Sequence, residues 1–325
     1  MLNHLRVVAP GALTTVQDQG RLGYARFGVP QSGPMDPFAL RAANDLVGNP
    51  AGTAGLEFAL DAPVLKMDAD SLVAGAGYGW SLRIGGRSVG LWRAARVFGG
   101  ETIEFIPQGL PGWGYLAVLG GIDVPPVMGS RATYLRGRFG GLGGRSLLEG
   151  DVLPVGEMPS VGAMRRAGRW LPPECRPHYA PNPVIPVLPG PQEDAFIPEA
   201  LQTLLSAEYR VSATSDRMGY RLTGPRLEHT GSADLISEPL PWGALQVPAD
   251  GLPMAMMADR PTTGGYPKIA VVASVGLPLL AQVMPGQGQV HFRAVNLAEA
   301  RSMYAAQLAA LAGGIEEDED GEWTG

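Results

Sequence analysis

Short runs of alternating or β-branched residues, each closed by glycine, proline or aspartate, set the strongest limit on how this chain folds. Leu5-Arg6-Val7-Val8, Ala62-Pro63-Val64-Leu65, Ser71-Leu72-Val73-Ala74, Ser81-Leu82-Arg83-Ile84, Thr102-Ile103-Glu104-Phe105 and Gly114 to Leu119 all read as strands. The 46 glycines and 30 prolines are spread without a period. They therefore punctuate strands with tight turns and build neither collagen nor a low-complexity tract. The expected fold class is mainly β, with few helices.

Helical signals are sparse. Asp36 followed by Pro37 reads as an N-cap with proline at the first helical position; Leu40, Ala43, Leu46 and Val47 form an inward face, and Gly48 is a left-handed stop. A short helix is expected around Pro198 to Ser206. Near the end Asn296 and Glu299 form a capping-box-like pair, with Ala300, Tyr304, Leu308 and Leu311 at helical spacing. The chain divides into a β-rich half over 1–160, a crossover linker over 161–190 rich in Pro, Arg and Gly, and a second half over 191–312. Residues 313–325 read as a disordered acidic tail. Arg21-Leu22-Gly23-Tyr24 returns as Arg217-Met218-Gly219-Tyr220, and Val29 to Gly33 resembles Val247 to Gly251, which hints at related halves.

Composition removes several classes. Apolar residues are 45% of the 325, enough for a core, and much of the net charge of −6 comes from that tail. No basic stripe suited to nucleic acid appears. No stretch approaches a membrane span, and Met1 to Pro10 has no apolar run of a signal peptide, so a cytoplasmic protein is expected. Cys175 is a lone, non-catalytic thiol. The four histidines stand far apart, so no metal site is expected. No Gly-x-x-x-x-Gly-Lys-Ser/Thr loop, Gly-x-Ser-x-Gly elbow or serine-rich amidase loop occurs. Gly75-Ala76-Gly77-Tyr78-Gly79 lacks the spacing of a dinucleotide fingerprint. Leu65-Lys66-Met67 sits in strand-like flanks, so no covalent biotin is expected there.

The densest polar stretch runs from Asp234 to Pro285. Thr262-Thr263-Gly264-Gly265 would expose consecutive N–H groups and two hydroxyls, either as a nest for an anion or developing oxyanion or as a plain connecting loop. Lys268 follows closely, and with Lys66 it is one of two lysines beside 23 arginines. A compact ammonium kept there suggests a specific need. Asp250 and Asp259 are candidate proton acceptors, Gln246 could orient an amide or carboxylate, and Arg131 and Arg217 are candidates for binding a substrate carboxylate.

Thr15 to Arg21, Gly28 to Asp36, Ala43 to Asn49, Gly140 to Arg145, Ser215 to Tyr220 and Gln246 through Lys268 resemble, in order, the KipA / allophanate hydrolase subunit 2 family. The similarity runs from about residue 5 to 295. This family is similar to half of the carboxyltransferase domain of urea carboxylase, which implies a cyclophilin-like β-barrel architecture in two barrel-like halves. The resemblance implies a KipI-like (allophanate hydrolase subunit 1) partner in a heterodimer or heterotetramer. It also implies action beside the A subunit of 5-oxoprolinase, opening 5-oxoproline to glutamate with ATP hydrolysis. The missing phosphate loop places ATP largely on a partner. On this reading Lys268, Asp250, Asp259, Thr262 and Thr263 are catalytic. Arg217, Arg131, Gln246, Gly264, Gly265 and Tyr266 bind substrate. Two other roles follow from the same resemblance: a regulator binding a KipI-like kinase inhibitor, or a carboxyltransferase-type protein acting on urea or another amide.

Overall fold

The computed structural model describes residues 3–157 and 162–317. It divides into two units, the first comprising Met1–Arg21, Ser32–Arg176 and Ala309–Gly325, the second Leu22–Gln31 and Pro177–Leu308. Strand is the dominant element in both, as the punctuated runs require.

In the first unit, Val152–Val155, Asn3–Ala9, Val64–Met67, Thr102–Pro107, Trp80–Ile84 and Arg87–Val89 form a six-stranded sheet in that order. Leu13–Gln17, Gly55–Ala59, Gly114–Val118, Ser71–Gly77 and Arg93–Val97 form a five-stranded sheet. Along Thr102–Pro107, Ile103 and Phe105 turn inward while Thr102 and Glu104 do not, the alternation of a sheet packed on one face. Phe58 of the five-stranded sheet meets Phe105 at 4.5 Å and Trp80 at 5.3 Å, both from the six-stranded sheet, so the two sheets share one core.

Ser71–Gly77 is buried at every position, because the helix Pro37–Val47 covers its sheet's other face. Asp36 starts that helix by accepting the Ala39 N–H at 3.0 Å, and Gly48 ends it at φ +81°. Just before it, Glu57 accepts the Met35 N–H at 2.6 Å and the Tyr115 hydroxyl at 2.8 Å. Burial, with the charges of Glu57 and Asp36, pushes the Tyr115 hydroxyl well above its usual range. Lys66 lies in the strand Val64–Met67 and is exposed.

The second unit contains a closed barrel. Its strands run Val184–Pro189, Lys268–Val272, Ala244–Gln246, Met254–Met256, Gly219–Thr223, Tyr209–Val211 and Gln289–Ala294 around the ring. Val184–Pro189 closes it by pairing parallel with Gln289–Ala294. Ile185, Val187, Tyr209, Tyr220, Leu245, Ile269, Val290 and Phe292 are buried along these strands. The helix Glu199–Ser206 forms where the sequence suggested one.

Several boundaries differ from the sequence reading. Val184–Pro189, inside the expected linker, is a barrel strand. Trp170, also within that linker, exchanges backbone hydrogen bonds of 2.9 Å with Glu316. Residues 313–317, expected in a disordered tail, are thus ordered by backbone pairing, while 318–325 lie outside the described residues. Tyr304, expected on the inward face of Leu297–Gly313, is exposed, whereas Leu311 is buried. The paired tetrapeptides do not repeat in structure: Gly219–Thr223 is a strand, but Arg21 to Tyr24 is irregular. No described helix is long and apolar enough to cross a membrane.

Candidate functional site

The barrel strand Lys268–Val272 presents Lys268 beside Gln246 of the neighbouring strand, across a register shift. Lys268 is only 3% exposed. A buried ammonium needs an anion, and Glu238 supplies it through an ion pair to Lys268 Nζ. Gln192 joins the two: its Nε2 donates to Glu238 Oε1 at 2.7 Å, and its Oε1 accepts the Lys268 backbone N–H at 3.2 Å. The hydrogen bond from Lys268, then its charge, hold the Glu238 carboxyl below the usual carboxylate range.

Glu238 lies on a ribbon in which Glu238–Pro239 pairs with Thr263–Gly264. Thr262 O accepts the Leu240 N–H at 3.0 Å and Gly265 O accepts the Leu235 N–H at 2.8 Å. Neither Gly264 nor Gly265 has a positive φ. A nest needs that left-handed alternation, so Thr262 to Gly265, with the ribbon strand Thr263–Gly264 at its centre, is not the donor nest considered from sequence. The matching edge at 235–240 decided between the two. Gly264 has another reason to be glycine: a Cβ there would stand 2.5 Å from Gln246 Nε2. Gln246 is buried and donates to the Tyr266 carbonyl at 3.0 Å. Thr263 and Tyr266 are exposed.

Arg217 and Asp259, assigned separate roles from sequence, are partners. Arg217 Nε and Nη2 reach the two Asp259 oxygens at 2.9 and 3.2 Å, and both side chains are buried. Asp259 is thereby committed to a guanidinium. Asp250 is exposed, and its carboxylate accepts the Leu252 N–H at 3.0 Å, two residues on. That is a turn cap, the ordinary work of a loop aspartate.

Arg131 belongs to the first unit, where Asp123 takes its Nη2 at 2.6 Å and the Val124 carbonyl its Nε at 2.8 Å. Its backbone N–H donates to Asp18. Asp18 also accepts the Ser130 hydroxyl at 2.6 Å and the Gly20 N–H at 2.8 Å. This knot ties the stretch from Thr15 to Arg21 onto the stretch from Gly129 to Thr133.

The structure thus gathers Lys268, Gln246, Thr262, Thr263, Gly264, Gly265 and Tyr266 around one ribbon, while Asp259, shortly before Thr262 in the chain, is paired with Arg217. Three neighbours were not singled out from sequence: Glu238, Gln192 and Arg260. Glu238 stood within the dense polar stretch, but its tie to Lys268 spans 30 residues and that of Gln192 spans 76. Arg260 follows Asp259 and donates from Nε to the Leu240 carbonyl at 3.1 Å. Chemically, the ribbon gathers a buried ammonium paired with a carboxylate, a half-buried guanidinium and a buried amide, polar groups that a small anionic ligand could engage. Among the described residues no group of three His, Cys, Asp or Glu is placed to hold a metal ion.

Residues 27–294 match the family model described as carboxyltransferase domain, subdomain A and B. The C subunit of 5-oxoprolinase from Escherichia coli (strain K12) is 38% identical over 298 residues, covering 91% of this chain and 93% of that protein. Its namesake in Haemophilus influenzae is 34% identical, covering 89% and 90%. The urea amidolyase of Saccharomyces cerevisiae is 30% identical over 94% of this chain, but only 17% of that protein. Among solved structures, TTHA0988 superimposes with a TM-score of 0.80 at 38% identity over 90% of this chain. This chain spans 56% of that one, a little over half its length. The Kluyveromyces lactis urea amidolyase gives 0.87 at 30% identity, over 97% of this chain and 20% of that one.

Proposed function

Because the chain belongs to the carboxyltransferase family of subdomains A and B, we propose that it is the C subunit of a 5-oxoprolinase, a hydrolase working as an assembly. The observation that carries this reading is reciprocal coverage: 38% identity extends over 91% of this chain and 93% of the E. coli protein. The urea amidolyases match with a minor part of much longer proteins.

The reaction would open the lactam of 5-oxoproline to glutamate at the expense of ATP, in the cytoplasm. A lactam carbonyl is unreactive, and oxyanion charge develops as it is attacked, so a positioned cation in low dielectric is the useful group. Lys268 fits that role, with Glu238 as the resident anion that a substrate must displace. Gln246 orients the lactam amide, and Thr263 and Tyr266 line the exposed side of the ribbon. Arg217 and Asp259 hold the adjoining loop. The chain carries no phosphate loop, which supports ATP on a partner, with a KipI-like protein and the 5-oxoprolinase A subunit completing the assembly.

Reconstituting the three proteins and measuring ATP-dependent glutamate release tests the reading. Lys268→Met is expected to lower turnover by about a hundredfold, the usual cost of one stabilising group. A complex inert towards 5-oxoproline, or one indifferent to Lys268→Met, would overturn it. An inert complex would leave room for a regulator of a KipI-like kinase inhibitor. The TM-score of 0.87 over 97% of this chain favours a second reading, a carboxyltransferase-type protein acting on urea or another amide. That reading requires a separate biotinylated carrier for activity.

A further inference from the structure

Arg260 stands at the end of the ribbon, where Leu240 donates its N–H to Thr262 O and accepts Arg260 Nε at its carbonyl, and Trp242 packs against that guanidinium. The guanidinium carbon lies 5.8 Å from the Trp242 ring centre. Two donors there, Arg260 Nη1 and Trp242 Nε1, are shielded from solvent and have no hydrogen-bond partner among the described residues. A buried donor left so is unfavourable, and the more so when charged.

The charges of the cluster point the same way. Asp259 is gripped by Arg217, and Glu238 by Lys268. Arg260 has no ion pair of its own among the described residues. Burial pushes its guanidinium down to about 10, and the charge of Asp259 only partly offsets that. A half-buried cation whose neighbouring carboxylate is already taken by Arg217 gains from an anion brought to it.

We infer that Arg260 Nη1 and Trp242 Nε1 form the floor of an oxyanion subsite that takes the carboxylate of a small lactam acid. The choice of ligand rests on the function proposed above. A carboxylate or phosphate offers adjacent oxygens to a charged and a neutral N–H, and the low dielectric strengthens both bonds. Both donors are covered, so the anion enters when the ribbon parts. The Glu238–Pro239 ladder with Thr263–Gly264 is only two residues long, a weak clasp. This assigns to Arg260 the carboxylate contact that the sequence suggested for Arg217, which is already committed to Asp259.

The test uses the full chain labelled with nitrogen-15. Its six tryptophans give separate indole N–H signals, and Trp242→Phe identifies the one from Trp242. Titration with 5-oxoproline is expected to move that signal. Pyrrolidin-2-one, the same ring without the acid, is expected to leave it in place. Arg260→Gln is expected to weaken 5-oxoproline binding at least about tenfold, and Arg260→Lys to weaken it less, since charge persists. Inorganic phosphate moving the signal where 5-oxoproline does not would support the oxyanion subsite with phosphate as its occupant. A Trp242 signal unmoved by either acid, or wild-type binding in Arg260→Gln, would overturn the subsite. Turnover by the reconstituted complex separates the two readings. Full 5-oxoproline activity with unchanged KM in Arg260→Gln sinks the subsite and spares the function. An inert complex whose Trp242 signal still answers phosphate through Arg260 sinks the function and spares the subsite.

Discussion

Asp259 grips the Arg217 guanidinium at two points, with N–O separations of 2.9 and 3.2 Å and both side chains 6% exposed. Removing one member of such a pair strands a buried charge, which costs roughly 3–5 kcal/mol, whereas an apolar replacement of both is far milder. Arg217→Met and Asp259→Asn are each expected to lose about that much stability in urea unfolding. Arg217→Met combined with Asp259→Leu should recover most of it. A double variant as weak as either single one would show that the loss has another origin.

Lys268 and Glu238 make an acid-sensitive pair. The folded Glu238 carboxyl lies below its unfolded value, so the folded state binds fewer protons. Its contribution is therefore present above the unfolded value and is lost as the pH falls through the folded one. Glu238→Gln imitates the protonated carboxyl. The variant should be less stable than the wild type at neutral pH, and the difference should close as the pH drops below the usual carboxylate range. Thermal unfolding across an acid pH series measures this; a constant difference would contradict it.

Asp18 and Asp250 are both loop aspartates, with different expected consequences. Asp18 is 8% exposed and serves Ser130, Gly20 and Arg131. Hydrogen bonds to a charged group contribute about 1.5–3 kcal/mol each, so Asp18→Ala should cost at least about 3 kcal/mol. Asp250→Ala should stay within about 0.5 kcal/mol, as exposed substitutions generally do. Chemical denaturation of both variants provides the comparison, and similar losses would refute it.

Ser32 holds φ +56° and is buried, with its hydroxyl unpartnered among the described residues. A left-handed non-glycine residue costs about 1–3 kcal/mol, and a lone buried hydroxyl adds to that. Ser32→Gly is expected to raise stability by roughly 1 kcal/mol after glycine's own entropic cost. A drop in the unfolding midpoint would mean that the hydroxyl has a favourable contact in solution.

Much of the fold could be read from local pattern. The runs at Leu5, Ser71, Ser81, Thr102 and Gly114 are strands, since alternation and turn residues act within a few positions. Asp36, Pro37 and Gly48 delimit a helix for the same reason. The candidate site was only partly legible. Gln246, Thr262 to Tyr266 and Lys268 fall within one stretch and stay together around the ribbon, yet the nest suggested by Thr262 to Gly265 gave way to pairing with residues 235–240. That edge is remote enough in the chain for backbone pattern to leave it open.

The order of short strands, their turns, the first helix and the family were already determined by the sequence, because each depends on residue type and near spacing. Which charges face one another was decided by the tertiary structure alone. Closing the barrel brings Glu238 and Gln192 to Lys268, and Asp259 to Arg217. In low dielectric such encounters decide whether a charged side chain is held by a partner or left ready for a ligand.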